Sequence, residues 1–314
     1  LLAATLVAPA ATAQTSESLP GDTCVSAEMV RQLAREGNSV RVSSGSVLVS
    51  QKPGSRENEK GIALTQAPET ARTLQAAHQW FEKGARRGYA PAEVNLAVVS
   101  LAGWGTEPNA GTALYWLREA ARQGYALAYF DLGILYLNGC GVRQDYHEAF
   151  RLFEQGANAG DSAAQMNLGY LFDQGTGVAQ DRVKAAAWYR KAAESGLAQA
   201  QNNLADLYLR GEGVPRDEGA AFAWFQKAAQ QGHTGARIML GSMYAEGRGT
   251  AKNVQAAYEW VSAAALQGDT RGSDVLRELE QQLTAEQVAK SKVRAASLAI
   301  STNQQRNAEV ALLH

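Results

Sequence analysis

Residues 160–196 read GDSAAQMNLGYLFDQGTGVAQDRVKAAAWYRKAAESG, and the fold turns on how this stretch divides. In its first half Ala164, Leu168, Leu171 and Phe172 recur at i, i+4, i+7 and i+8. That spacing lays one apolar stripe along a helix, here termed helix A. Gly175 and Gly177 follow, and glycine adopts the positive φ that ends a helix at the lowest cost. Asp181 then fits the N-cap of a second helix, its carboxylate accepting orphan backbone N–H groups. This helix B carries Ala185, Trp188, Tyr189, Ala192 and Ala193 and ends at Gly196. Small alanines beside an indole let two helices approach closely while the ring fills the gap.

The same stretch recurs on both sides with a period of 36 residues, opened by Gly88, Gly124, Gly160, Gly196, Gly232 and Gly268. Leu96, Leu132, Leu168, Leu204 and Leu240 form one column. The glycine pairs are Gly103/Gly105, Gly139/Gly141, Gly175/Gly177, Gly211/Gly213 and Gly247/Gly249. Asn109, Asp145, Asp181, Asp217 and Asn253 then open helix B, with Glu148 placing a near capping box after Asp145. Trp116, Trp188, Trp224 and Trp260 form a further column, interrupted by Leu152 in the second repeat. A fixed period of this size marks a stacked array and favours a binding scaffold over an enzyme.

The array sets the domain map. Trp80, Ala77 and Ala85 stand one period before Trp116, Ala113 and Ala121, so residues 67–87 form half a repeat. Five full repeats cover 88–267. Residues 268–300 form C-terminal capping helices, one marked by Val275, Leu276, Leu279 and Leu283 and another opened by a capping box at Thr284–Gln287 and running to about Leu298. Residues 301–314 read as a loose tail. Residues 14–66 hold no Phe, Tyr or Trp and form an extension and linker. It offers a short helix from Ser26 to Arg35, a hairpin through Val40–Val42 and Val47–Val49, and a linker from Gln51 to Lys60.

Residues 1–13 are small and apolar and end in Ala11-Thr12-Ala13, the pattern of a secretory signal remnant with a mature start near Gln14. The competing reading is a membrane anchor, but the run falls short of the ~20 apolar residues a spanning helix needs. The expected location is therefore periplasmic or secreted. Cys24 and Cys140 are the two cysteines; in an oxidising compartment they pair, and otherwise they are separate thiols.

The net charge of −1 gives no reason to expect nucleic acid or an anionic membrane as partner. Chemistry-bearing motifs do not assemble. His78, His147, His233 and His314 fall at unrelated repeat positions, and no pair has zinc-ligand spacing. No Gly-x-Ser-x-Gly or Ser-x-x-Lys motif occurs. The Gly-x-Gly pairs follow helices, unlike phosphate-cradling loops, which follow strands. The expectation is no catalytic residue, no metal and no cofactor.

Helix A has a second face besides the core stripe. Along it stand Asn95, Val98 and Ala102, then Asp131, Ile134 and Asn138, then Asn167, Tyr170 and Gln174, then Asn203, Asp206 and Arg210. The core columns hardly change between repeats, whereas this stripe changes a great deal. An amide both donates and accepts, so the Asn95/Asp131/Asn167/Asn203 column fits the backbone of an extended peptide. The alternative is that these side chains bridge neighbouring helices. The tryptophans read as stacked core, while Trp104, between paired glycines, is either a contact residue or a local plug.

The string Asn167-Leu168-Gly169, Gly175-x-Gly177-Val178, Asp181, Lys184-Ala185, Trp188-Tyr189, Lys191-Ala192-Ala193 and Gly196 resembles the Sel-one-like repeat, a cousin of the tetratricopeptide repeat. The first repeat departs at Ser100 and Thr106, and the fifth at Thr250. The resemblance implies an all-α, right-handed α-α superhelical solenoid whose concave face, lined by the helix-A stripe, holds a protein or peptide. Exported bacterial members look like envelope assembly factors or host-interaction proteins, so a secreted protein engaging a host or matrix component is the alternative. A β-lactam-binding role, linked to cysteine-rich relatives, goes with two cysteines per repeat, which this chain lacks.

Overall fold

The structure is a computed structural model that describes residues 52–65 and 70–311, with side chains through Ala299. Among the described residues there are fourteen α-helices and no strand. Helices α1 (Ser55–Thr65) and α2 (Ala71–Ala85) come first. Five A/B pairs follow: α3 (Ala90–Leu101) with α4 (Ala110–Arg122), α5 (Ala126–Asn138) with α6 (Tyr146–Asn158), α7 (Ser162–Gln174) with α8 (Arg182–Glu194), α9 (Ala198–Arg210) with α10 (Glu218–Gln230), and α11 (Thr234–Glu246) with α12 (Val254–Ala265). A 3-10 turn at Thr270–Gly272 leads into α13 (Ser273–Glu280) and α14 (Ala285–Ala311). The fold class is the all-α array of helix pairs expected from the 36-residue period.

The chain forms two compact units, one ending at Leu171 and including Gly175–Ala179, the other made of Phe172–Gln174 and everything from Gln180. In the first, each of α1 to α5 packs on the next helix in the chain. Its cores join Ala77, Phe81, Leu96 and Trp104, then Leu117, Leu132, Leu135 and Leu152. In the second, α8 to α12 pack in the same consecutive manner, and α13 and α14 both close on α12. Phe225, Leu240 and Met243 centre its larger core.

The turn chemistry matches the sequence expectation. Gly139, Gly175, Gly211 and Gly247 end their helices in the left-handed conformation. Asn109, Asp181, Asp217 and Asn253 each cap a helix B by accepting from the backbone N–H three residues on. Asp145 does the same for His147 and Glu148, but the Glu148 carboxylate turns to Arg151 instead of closing the box. Gly213, at φ +70, is fixed by crowding as well: a Cβ there would lie 2.0 Å from the Arg182 carbonyl oxygen.

Two expectations need correction, and one open alternative is decided. The stretch Gln51–Lys60, read as linker, contributes most of α1. Its packed face is Ser55, Asn58 and Gly61, and the Phe81 ring sits where a Gly61 Cβ would be, 2.5 Å away. Phe153 sits against Gly133 in the same way, so α1 stands where a helix A belongs and the half repeat is a pair. The tail from Ser301 is helical through Ala311, continuing α14 past the expected end near Leu298. Trp104 is a buried plug, 6% exposed, in the core beneath α2 and α3. The signal remnant, the Ser26–Arg35 helix, the hairpin and Cys24 lie outside the described residues.

Candidate functional site

Helix A positions the candidate stripe, and most of its polar groups are occupied locally. Asn95 Nδ2 donates to Asn58 Oδ1 of α1 at 2.8 Å. Asn167, 4% exposed, donates to the Ala163 carbonyl in its own helix at 2.9 Å. Asn203 Oδ1 accepts from Gln199 at 2.9 Å. Ile134 is buried, which is a correction: it fills core and presents nothing to a partner. Asn138 and Tyr170 are half-buried. Asp206 is paired with Arg210, whose guanidinium also lies 3.5 Å from Glu212. Gln174 and Arg210 are the exposed members, with Gln174 donating to its neighbour Asp173.

Asp131 differs from the rest of its column. The residue is half-buried; burial first, and the Asp161 carboxylate second, push its pKa up to about 8. At neutral pH it is therefore mostly a neutral acid. In the second unit His233 caps α11, its Nδ1 accepting from Ala236 at 3.0 Å while Nε2 lies 2.9 Å from Gln199 Oε1. Burial, then Arg271, lower its pKa to about 4 against the opposing pull of Asp269. A neutral ring with the proton on Nε2 satisfies both contacts.

A second polar column, five residues after the opening glycines, escaped the sequence reading. Gln165, Gln201 and Arg237 each reach back eight residues to a carbonyl in the last turn of the preceding helix B, at 3.2, 3.1 and 3.0 Å. Those carbonyls lie at the helix end, and each also accepts from the N–H of the glycine that closes its repeat, Gly160, Gly196 or Gly232. Gln201 also accepts from Gln231 at 2.7 Å, and Glu93, 2% exposed, takes both its oxygens to Gln123 Nε2. The readable signal was a polar residue recurring at one fixed offset inside an otherwise apolar helix. In three of the five pairs this column pins helix A to the helix before it, while Gln165 Oε1 is buried without a hydrogen-bond partner.

The column tryptophans are half-buried where stacked core was expected, with Trp116, Trp224 and Trp260 packed against the buried clusters. Lys191 covers the Trp188 ring at 3.8 Å and Lys227 covers Trp224 at 3.9 Å. Lys60 and Lys83 both lie over Trp80. The described residues contain no group of His, Cys, Asp and Glu able to hold a metal ion. No described helix is long and apolar enough to cross a membrane. Cys140 is buried at 1% exposure.

These features can be set beside known proteins. The family model of the Sel1 repeat matches residues 74–89, 90–125, 126–161, 162–197, 198–233 and 235–269. The chain is similar to the crystal structure of a protective antigen present in uropathogenic Escherichia coli strains displaying an SLR fold, with 30% identity and a TM-score of 0.68. That match covers 90% of this chain but 56% of the antigen, so the chain spans little more than half of the antigen's length. A Sel1 repeat protein from Oxalobacter formigenes is also 30% identical, with a TM-score of 0.59, over 76% of this chain and 92% of that one. No curated relative matches. The matched repeats take up more than half of the chain and follow its helix pairs one by one, so the chain belongs to the Sel1 repeat family.

Proposed function

We propose that this protein is a non-catalytic scaffold of the cell envelope that captures a protein or peptide on its helix-A face. Sel1 repeats typically mediate protein interactions, and no enzymatic family is indicated. The observation that carries the reading is the contrast within helix A. The leucine and alanine columns repeat unchanged, while the adjoining stripe runs from Asn138 to Gln174 to Arg210 at one position. Side chains released from packing are available for recognition. The exposed amide of Gln174 and guanidinium of Arg210 suit polar groups of a peptide.

The test is capture from intact cells. A photo-crosslinking residue at position 174 is expected to trap one protein, and adding the double change Tyr170→Ala with Arg210→Ala is expected to weaken trapping with helicity unchanged. Trapping at full strength in the double variant, with normal circular dichroism, moves the partner to another face.

An envelope location is supported by Ala11-Thr12-Ala13 and by the cysteine pair. Mature protein from the native host is expected to begin near Gln14 and to show no free thiol until reductant is added. Two thiols titrating without reductant would count against both the Cys24–Cys140 bond and an oxidising location. The second reading, a surface protein engaging a host or matrix component, is favoured by the 30% identity to the uropathogenic antigen. Mature chain on the cell exterior would support it.

A further inference from the structure

The tryptophan column has one gap. Leu152 stands where Trp116, Trp188, Trp224 and Trp260 stand in the other repeats. Three residues on, where Lys191 and Lys227 cover their indoles, the second repeat has Gln155. A leucine and an amide fill less space than an indole with an ammonium group above it. The space left over is a cleft of about 290 Å³ in the first unit, between α4, α5 and α6, and both Leu152 and Gln155 line it.

The walls of this cleft are unlike those of the matching place in the second unit. Leu132 and Leu152 make an apolar floor, and Tyr129 and Tyr136 stand at the sides. Arg118, Arg122 and Arg151 form the rim, against the single lining carboxylate of Glu148. Glu148 holds Arg151 through two contacts of 2.9 and 2.6 Å, and Arg122 pairs with Glu119. Arg118 donates to the Tyr136 hydroxyl at 3.1 Å and, among the described residues, forms no ion pair. Two periods' distance along the chain, Arg190 repeats the contact to Tyr208 at 2.7 Å. There Trp224 and Lys227 fill the slot, and Glu194 and Ala223 replace two of the three arginines. The open space and the excess of guanidinium therefore occur together, where the first and second repeats meet.

We propose that this cleft is a docking slot for a segment of another protein in which an aromatic residue stands beside acidic ones. The ring enters the place of the missing indole, and the flanking carboxylates meet Arg118 and Arg122. The cleft lies just below the usual size of a small-ligand pocket, which favours a side chain carried by a larger partner. Aromatic anchors and forked guanidinium–carboxylate pairs are the strongest elements of protein recognition. Every Trp, Tyr and Phe of residues 1–314 lies between Trp80 and Trp260, inside the repeat array. This site lies on the helix-B side and stands or falls apart from the helix-A stripe.

The full chain would be titrated with three labelled peptides: a tryptophan flanked by aspartates and glutamates, the same peptide with alanine for tryptophan, and the tryptophan flanked by lysines. The acidic tryptophan peptide is expected to bind at least tenfold more tightly than either control. Leu152→Trp, which restores the column, is expected to abolish binding with the melting temperature unchanged or raised. Arg118→Ala is expected to weaken binding about tenfold, and it keeps the test alive if the first variant folds poorly. Tyr170→Ala with Arg210→Ala is expected to leave peptide binding intact, which separates this slot from the stripe. Equal binding of the alanine peptide, no binding of the acidic tryptophan peptide, or full binding by Leu152→Trp would overturn the proposal. So would indole-3-acetate binding as tightly as the peptide, which would assign the slot to a small aryl acid.

Discussion

Arg237 is 1% exposed, yet its guanidinium is spent on backbone. It donates to the carbonyls of Ala229, Ala263 and Leu298, at 3.0, 3.3 and 3.1 Å. Burial lowers its pKa to about 10, so it stays charged at neutral pH. The glutamines in the same column, Gln165 and Gln201, make only the first of these contacts. Arg237→Gln should therefore keep the bond to Ala229 and lose those to Ala263 and Leu298. The expected loss is about 1–3 kcal/mol, since hydrogen bonds from charged groups exceed neutral ones. Hydrogen exchange should quicken along Ala285–Ala299 above all; unchanged protection there would show that α14 is held by its apolar contacts alone. Leu168, fully buried in α7, is the reference case for the core, with an expected loss of about 2–5 kcal/mol for Leu168→Ala in chemical denaturation. A loss of a few tenths would contradict the packing of helix A. At this scale the sequence disclosed columns but not partners. The Asn column was visible, yet Asn95 bonds to Asn58 in α1, a helix with no apolar pattern to announce it, and Asn203 turns inward to Gln199.

The elements themselves were legible because each boundary has its own chemical sign. An Asp or Asn opens every helix B of the five pairs, and left-handed glycines close the helices A of the last four. In α3 the helix instead ends at Ala102 with helical backbone angles, and the following loop is plugged by Trp104. The glycine loop of the first repeat also departs from the pattern, with Thr106 after the pair as Thr250 stands in the fifth. The misread element, α1, packs through Ser55, Asn58 and Gly61, small or polar residues that carry no hydrophobic period. Its burial depends on Phe81 from α2, which local periodicity cannot reveal. The glycine loops also hold one pair to the next. Gly213→Val would force a β-branched side chain to φ +70 and press its Cβ on the Arg182 carbonyl at the start of α8. Strain of this kind costs on the order of 1–3 kcal/mol before the clash is counted. The variant should melt well below the parent, and an unaltered melting curve would mean the loop can leave α8 freely.

Across the whole chain, stability should vary with pH through buried groups in both units. Asp131 and Glu93 have raised pKa values, each chiefly through burial. For a carboxyl raised in the folded state, stability is fully present below its unfolded pKa and is lost as pH climbs through the folded value. For Asp131 that window runs from its ordinary 3.8 to about 8. His233 acts in the opposite sense, because its folded pKa is lowered to about 4 from 6.5. Its contribution is present above 6.5 and lost as pH falls toward 4. Asp269, held well below the ordinary carboxylate range chiefly by its hydrogen bond to Arg271, adds a further loss in strong acid. Between about pH 4 and 6.5 the aspartate and histidine effects oppose each other, and above 6.5 only the loss from the raised carboxyls continues. The melting temperature should therefore fall between pH 6.5 and 8. Asp131→Asn, which installs the residue already present at Asn95, Asn167 and Asn203, should flatten most of that fall and raise stability more at pH 8 than at pH 5. His233→Asn keeps a capping acceptor but does not titrate, so it should flatten the limb between pH 4 and 6.5 and leave the alkaline limb alone. If Asp131→Asn shifted the melting temperature equally at pH 5 and pH 8, the carboxyl would already be ionised in the fold, and its raised pKa beside Asp161 would be refuted.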